Sequence, residues 1–206
     1  MAKSSKAWLQ RHVTDPYVRQ ARAAGYRSRA AYKLLEIDQK DGILRPAMKV
    51  LDLGAAPGGW SQVAGRKAGP QGRVVAIDLL EIAPISGVTV LRGDVREPQA
   101  RAAACEALGG DADLVMSDLS PNLSGIASVD QARAAELAHL ALELAREVLQ
   151  PSGALLVKVF QGAAFEEVLA AARRAFQTVA VRKPGASRGE SRETYLLGRG
   201  PKSALE

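Results

Sequence analysis

A chain of 206 residues, 47% hydrophobic and 24% charged, has enough apolar material for one α/β domain with a sizeable core, and a single domain over 1–206 is simpler than two small ones. Its start is basic with no apolar stretch behind it, and no run approaches membrane-spanning length, so neither a secretory signal nor a membrane span is expected. A lone cysteine, Cys105, cannot form an internal disulfide and suits a reducing cytoplasm.

The formal charge of +6 is uneven: residues 1–33 carry +7, residues 34–172 carry −6 and residues 173–206 carry +5. Two basic ends around an acidic middle would form a positive surface if both lie near one rim of the fold, as a polyphosphate backbone requires. The plain alternative is solvated charge that keeps the protein soluble.

Along the chain, the basic segment 1–33 is expected to pack on the core through Trp8, Leu9, Tyr17 and Val18. Residues 50–53 read as a strand buried on both faces, running straight into Gly54-Ala55-Ala56-Pro57-Gly58-Gly59-Trp60. The glycines allow unusual backbone angles and leave room where a Cβ would collide with a ligand. A dinucleotide fingerprint would read G-x-G-x-x-G, whereas Ala56 stands where its second glycine belongs, so the turn points to another adenosine ligand. A tight strand-to-helix turn without ligand is the competing reading.

Residues 60–67 then form a crossover helix, and 72–78 a second buried strand. Further strands are expected at 88–91, 114–117 and 154–159. A helix is expected over 130–149, ended by Pro151-Ser152-Gly153, and another over 165–176. Residues 178–181 and 194–197 suit two late strands paired as an antiparallel edge. The alternation predicts a mostly parallel, doubly wound sheet.

In such sheets ligands sit at the carboxyl ends of the strands, where Asp52, Asp78, Asp94, Asp118 and Lys158 fall. Asp78 lies about twenty residues after Gly58, a spacing that suits a carboxylate accepting from ribose hydroxyls, although a cap or turn role fits too. Asp94 is a candidate acceptor from an adenine amino group, or a turn residue. Lys158, between Val157 and Val159, is the odder residue: a partly desolvated ammonium needs a carboxylate partner or must lose its proton, unless it snorkels from an edge strand.

The stretches Asp52 to Gln62, Ser117-Asp118-x-x-Pro121-Asn122-x-Ser124-Gly125, Val157-Lys158-Val159-Phe160-Gln161-Gly162 and Ser191-Arg192-Glu193-x-Tyr195 closely resemble the FtsJ/RrmJ family of ribosomal RNA ribose 2′-O-methyltransferases. The likeness extends upstream to Ser28-Arg29-Ala30-Ala31-Tyr32-Lys33-Leu34 and to Trp8-Leu9-Gln10, covering nearly the whole chain in order. It implies a Rossmann-like methyltransferase fold, S-adenosyl-L-methionine as cofactor, and a catalytic tetrad of Lys33, Asp118, Lys158 and Glu193. Cofactor contacts are implied at Gly58, Trp60, Asp78, Asp94 and Asp118, beside Gly54 of the turn.

The implied substrate is a uridine in the A-loop of large-subunit (23S) rRNA, probed within the large ribosomal subunit or as free RNA. A tRNA methyltransferase, a methyltransferase for a small molecule or protein, and a non-catalytic ribosome-assembly factor are the alternatives. RNA phosphates would be gripped by Arg11, Arg19, Arg22, Arg27, Arg29, Arg182, Lys183, Arg188 and Arg192, with Trp8 or Tyr17 packing or stacking. No metal is expected, since His12 and His139 have no ligand-like spacing to Cys105, and the protein is expected to be a monomer.

Overall fold

The structure, a computed structural model, describes residues 15–122, 124–187 and 191–202. Trp8, Leu9, Gln10, Arg11, His12 and Arg188 lie outside the described residues. In chain order the elements are α1 (Pro16–Ala23), α2 (Ala30–Asp41), β1 (Lys49–Leu53), α3 (Gly59–Ala68), β2 (Arg73–Asp78), β3 (Val88–Arg92), α4 (Pro98–Leu108), β4 (Ala112–Ser117), α5 (Ala127–Val148), β5 (Leu149–Phe160), α6 (Phe165–Ala175), β6 (Phe176–Arg182) and β7 (Glu193–Pro201).

Seven strands form one sheet in the order β3-β2-β1-β4-β5-β7-β6. The first five run parallel, and β7 lies antiparallel between β5 and β6. This is the doubly wound sheet with an antiparallel edge expected from the alternation of elements. β1 is central, with Leu51 level with Val75 of β2 on one side and with Val115 of β4 on the other.

Strand residues alternate between two apolar layers, which is why β1 reads as a continuous apolar run. Leu51 and Leu53 face α4 and α5, joined there by Val75, Leu108 and Ala141. Val50 faces α2 and α3, with Leu34, Ile37, Trp60, Val63, Met116 and Leu156. In the segment before α2, Val18 is buried on α1, which Pro16 opens and Asp15 caps by accepting the Tyr17 N–H at 3.0 Å.

One boundary differs from expectation. Pro151, Ser152 and Gly153 do not separate α5 from the strand but belong to β5, which begins at Leu149 directly after the helix. Leu149 pairs with Ala112, and the register shifts before Leu114 pairs with Ala154. The irregularity takes in Pro151, whose missing N–H no regular ladder position needs. A Cβ on Gly153 would sit 2.9 Å from the Gln150 carbonyl oxygen and 3.2 Å from that of Ala112, so the crowded bend requires glycine.

Candidate active site

The glycine turn after β1 adopts backbone angles that L side chains avoid: Gly54 has φ 72° and Gly58, at the N-cap of α3, has φ 105°. A Cβ on Gly54 would come within 2.6 Å of Leu119 Cδ2, and one on Gly58 within 2.5 Å of Ile85 Cδ1. At these positions the close neighbours are therefore the protein's own side chains. Asp78, at the end of β2, ties the turn down by accepting the Ala56 N–H at 2.9 Å on one oxygen and the Leu80 N–H at 2.8 Å on the other.

A cleft of about 590 Å³ opens beside the turn, lined by Gly54, Asp78, Asp94 and Asp118, with Arg133 and Leu137 of α5 on its far wall. Its volume lies in the range of small-molecule sites. Four of the six residues expected around a cofactor therefore meet in one cavity. Gly58 and Trp60 are not among the residues that line it. Trp60 is buried, donates its indole N–H to the Ala30 carbonyl at 2.7 Å, and packs against Tyr195 with ring centroids 5.6 Å apart. The Asp94 carboxylate is gripped by the Arg96 guanidinium, with contacts of 2.6 to 3.0 Å, and accepts the Arg96 N–H. Those bonds hold it below its ordinary pKa.

The four tetrad residues converge from α2, the end of β4, β5 and β7. Lys158 Nζ lies 3.1 Å from Asp118 Oδ1 and donates to the Asp118 carbonyl at 2.8 Å, so the desolvated lysine does have its carboxylate. Lys33 Nζ reaches both oxygens of Glu193, at 2.7 and 2.8 Å. Tyr195 joins the two pairs. Its hydroxyl lies 3.1 Å from Asp118 Oδ1 and 3.0 Å from Glu193 Oε1, serving two acceptors with one proton.

Burial, then the Asp118 and Glu193 charges, hold the Tyr195 phenol well above its ordinary pKa, so it remains a donor. Burial alone would raise Glu193, but the charge and hydrogen bond of Lys33, with Lys158 and Ser187, outweigh it and keep the carboxyl below its usual value. Two cations and two anions make the cluster neutral as a whole, which is how four ionisable groups share a poorly hydrated corner.

Sequence reasoning placed Tyr195 in a motif but gave it no role, and the signal was its spacing: two residues after Glu193 on a strand, it shares that residue's face. Asp52 was noted only as a strand-end residue. It is fully buried, accepts the Ser61 hydroxyl at 2.5 Å on one oxygen, and meets no donor with the other among the described residues. Burial pushes its carboxyl up to about 7, with Asp118 and Asp78 adding to the rise and the Ser61 hydrogen bond offsetting part of it.

The basic residues divide. Arg19 and Arg22 on α1 are exposed, as is Arg192 before β7. Arg27 donates to three carbonyls, those of Pro57 at 3.2 Å, Ala83 at 2.6 Å and Pro84 at 2.6 Å, stapling the glycine turn to the β2–β3 connection. Arg29 bridges Asp15 and the Ala186 carbonyl. Arg182 pairs with Asp41 at 2.7 and 2.6 Å, and Lys183 donates to the carbonyls of Ser191 and Glu193. Those four cations have partners inside the fold. Cys105 lies on α4, where burial raises its thiol pKa, and His139 lies on α5, 3.4 Å from Glu167. No group of three or more His, Cys, Asp or Glu with metal-holding geometry occurs among the described residues, and no helix among them is long and apolar enough to cross a membrane.

Comparison with known proteins gives the chain its relatives. A ribosomal RNA large subunit methyltransferase E of Acidithiobacillus ferrooxidans is 57% identical over 196 residues, covering 95% of this chain and 90% of the relative. The protein of the same name from Pseudomonas aeruginosa is 53% identical over 200 residues, 97% of each chain. Among solved structures, a ribosomal RNA methyltransferase of Plasmodium falciparum superposes with a TM-score of 0.77 at 27% identity, over 85% of this chain and 98% of that one. Aeropyrum pernix fibrillarin, crystallised with natively bound S-adenosyl-L-methionine, shares the fold with a TM-score of 0.58 at 17% identity, over 84% of this chain and 75% of its own. The family model described as FtsJ-like methyltransferase matches residues 26–201, and the chain belongs to that family.

Proposed function

We propose that this protein methylates a ribose 2′-oxygen of large-subunit rRNA, a uridine of the A-loop, with S-adenosyl-L-methionine as methyl donor. The observation that carries the reading is the pair of Lys–carboxylate contacts, Lys158 with Asp118 and Lys33 with Glu193, linked by Tyr195 at the edge of the nucleotide-type cleft. Whole-length likeness to large-subunit rRNA methyltransferases supports the choice of substrate.

The cleft fits the donor molecule, since Asp78 retains acceptor capacity for ribose hydroxyls beside a glycine turn, and Asp118 offers an anion to a cationic group. When bound, S-adenosyl-L-methionine supplies an electrophilic methyl group on a sulfonium. Lys158 takes the ribose proton or, as an ammonium, stabilises the developing alkoxide. Asp118 holds Lys158 through its carboxylate and carbonyl, and Glu193 holds Lys33 on the substrate side. Protons in such a set titrate jointly. We read the chain as one methyltransferase domain acting as a monomer, with the basic segment 1–33 gripping RNA, in a reducing cytoplasm that suits its single cysteine.

The test is incubation with methyl-labelled S-adenosyl-L-methionine and either large subunits or free large-subunit rRNA from cells lacking this gene. Label on a single ribose 2′-oxygen, absent with Lys158→Ala although that variant still binds the cofactor, is the expected result. Near-normal turnover by the variant would remove Lys158 from the mechanism. Cofactor binding with no transfer to either RNA would favour tRNA as substrate, or a non-catalytic assembly factor.

A further inference from the structure

Glu193 Oε1 accepts a third contact besides Lys33 and Tyr195: the hydroxyl of Ser187, at 2.9 Å. The three differ in what they can hold. Lys33 is a long flexible side chain that follows the carboxylate, and Tyr195 shares a strand with Glu193 and moves with it. Ser187 refers the carboxylate, through a short side chain, to an element outside the strand. That element, the turn before β7, is held from outside the sheet.

Ser187 is buried at 5% exposure, and its N–H closes a turn onto the Pro184 carbonyl at 2.9 Å. The peptide before it is clamped at both ends. The Ala186 N–H donates to Glu36 Oε2 at 3.1 Å, and the Ala186 carbonyl accepts from Arg29. Glu36 takes the Tyr17 hydroxyl of α1 on its other oxygen at 2.9 Å, while the other arm of Arg29 engages Asp15, the N-cap of α1. Gly185 packs beside the same pair, since a Cβ there would stand at ordinary contact distance, 3.4 Å from Glu36 Oε2 and 3.5 Å from the Tyr17 hydroxyl. Loss of one such bond to a charged acceptor typically costs about tenfold or more in an equilibrium that depends on it.

We infer that Ser187 is a positioning residue for Glu193, and that the Glu36–Arg29 clamp on peptide 186 aims it, so that the seating of the basic helix α1 is felt at the catalytic cluster. The inference rests on the tetrad reading proposed above. Glu36 lies one helical turn after Lys33, so one face of α2 presents both the lysine that pairs with Glu193 and the carboxylate that sets its support.

Ser187→Ala, Ser187→Thr, Glu36→Ala and the double variant Ser187→Ala with Glu36→Ala test it, in the full-length protein with labelled cofactor and large ribosomal subunits. Ser187→Ala should lower kcat about tenfold, with KM for the subunit and Kd for the cofactor within about twofold of wild type. Ser187→Thr, which keeps the hydroxyl, should restore kcat. The carboxyl carbon of Glu193, followed by NMR, should titrate higher in Ser187→Ala and at the wild-type position in Ser187→Thr. Glu36→Ala should speed hydrogen exchange at the Ala186 amide and lower kcat by a similar factor, and the double variant should lose no more than Ser187→Ala alone. Unchanged kcat and titration in Ser187→Ala, absence of rescue by threonine, or additive losses would each overturn the inference. An inactive wild-type protein would instead overturn the functional reading, and the Glu193 titration would then decide the Ser187 contact by itself.

Discussion

Asp52 shows how a single carboxyl group can set the pH response of this fold. Its ordinary value applies in the unfolded chain, whereas burial raises it to about 7 in the folded one. Between about pH 4 and pH 7 the folded state therefore binds one proton more than the unfolded state, and stability falls as pH rises through that window. The contribution is on the order of 4 kcal/mol across the window. Asp52→Asn keeps the shape and an acceptor for Ser61 but cannot ionise. Its stability relative to wild type should climb between pH 4 and pH 8 in urea denaturation, and a constant difference would mean that Asp52 titrates near its ordinary value. Glu193 acts with the opposite sign: its lowered value stabilises the fold above the ordinary carboxylate range and is lost as pH falls through the folded value.

At the scale of elements, the β1–α3 turn joins the cleft to the strand ends that carry Asp118 and Lys158. Gly54 has φ 72°, and the neighbour that a Cβ would strike, Leu119, follows Asp118 directly. Gly54→Ala should destabilise the protein by roughly 1–3 kcal/mol and weaken cofactor binding, because the turn and the Asp118 loop must separate. Gly42, which ends α2 at φ 58° with open space around it, is the control. Gly42→Ala should cost about 1–2 kcal/mol from backbone strain alone and leave cofactor affinity unchanged by calorimetry. The strand that runs into the turn, β1, was legible because a run buried on two faces is apolar throughout. The start of β5 was not, since Pro151-Ser152-Gly153 is a breaker by local rules and only pairing of Leu149 with Ala112 keeps it in the sheet.

For the molecule as a whole, the basic ends separate into cations that face solvent and cations that hold the fold. Arg19 and Arg22 are exposed on α1, whereas Arg182 is paired with Asp41. In binding to large-subunit rRNA, replacing Arg19 and Arg22 with alanine should flatten the dependence of log K on log salt by about 1.4 to 1.8, if each meets one phosphate. Arg182→Ala should leave that slope unchanged and lower the melting temperature by roughly 2–4 °C. An unchanged slope in the first variant would remove α1 from the RNA surface.

Much of this protein is determined locally by its sequence. The strand runs and the glycine turn announce a doubly wound α/β sheet with a nucleotide-type turn, because periodicity and turn chemistry are properties of neighbouring residues, whereas the methyltransferase reading and the candidate tetrad rest on the resemblance of the short motifs to a known family. What only the tertiary structure decided is which of those residues meet. β7 runs antiparallel to β5, so Lys158 pairs with Tyr195 and Phe160 with Glu193, bringing the last motif of the chain to the cleft end of the sheet. Partners 77 residues apart, such as Asp118 and Tyr195, or 157 apart, such as Arg29 and Ala186, leave no trace in local pattern. Whether an arginine faces phosphate or a carbonyl depends on where the chain returns, and that is a property of packing rather than of composition.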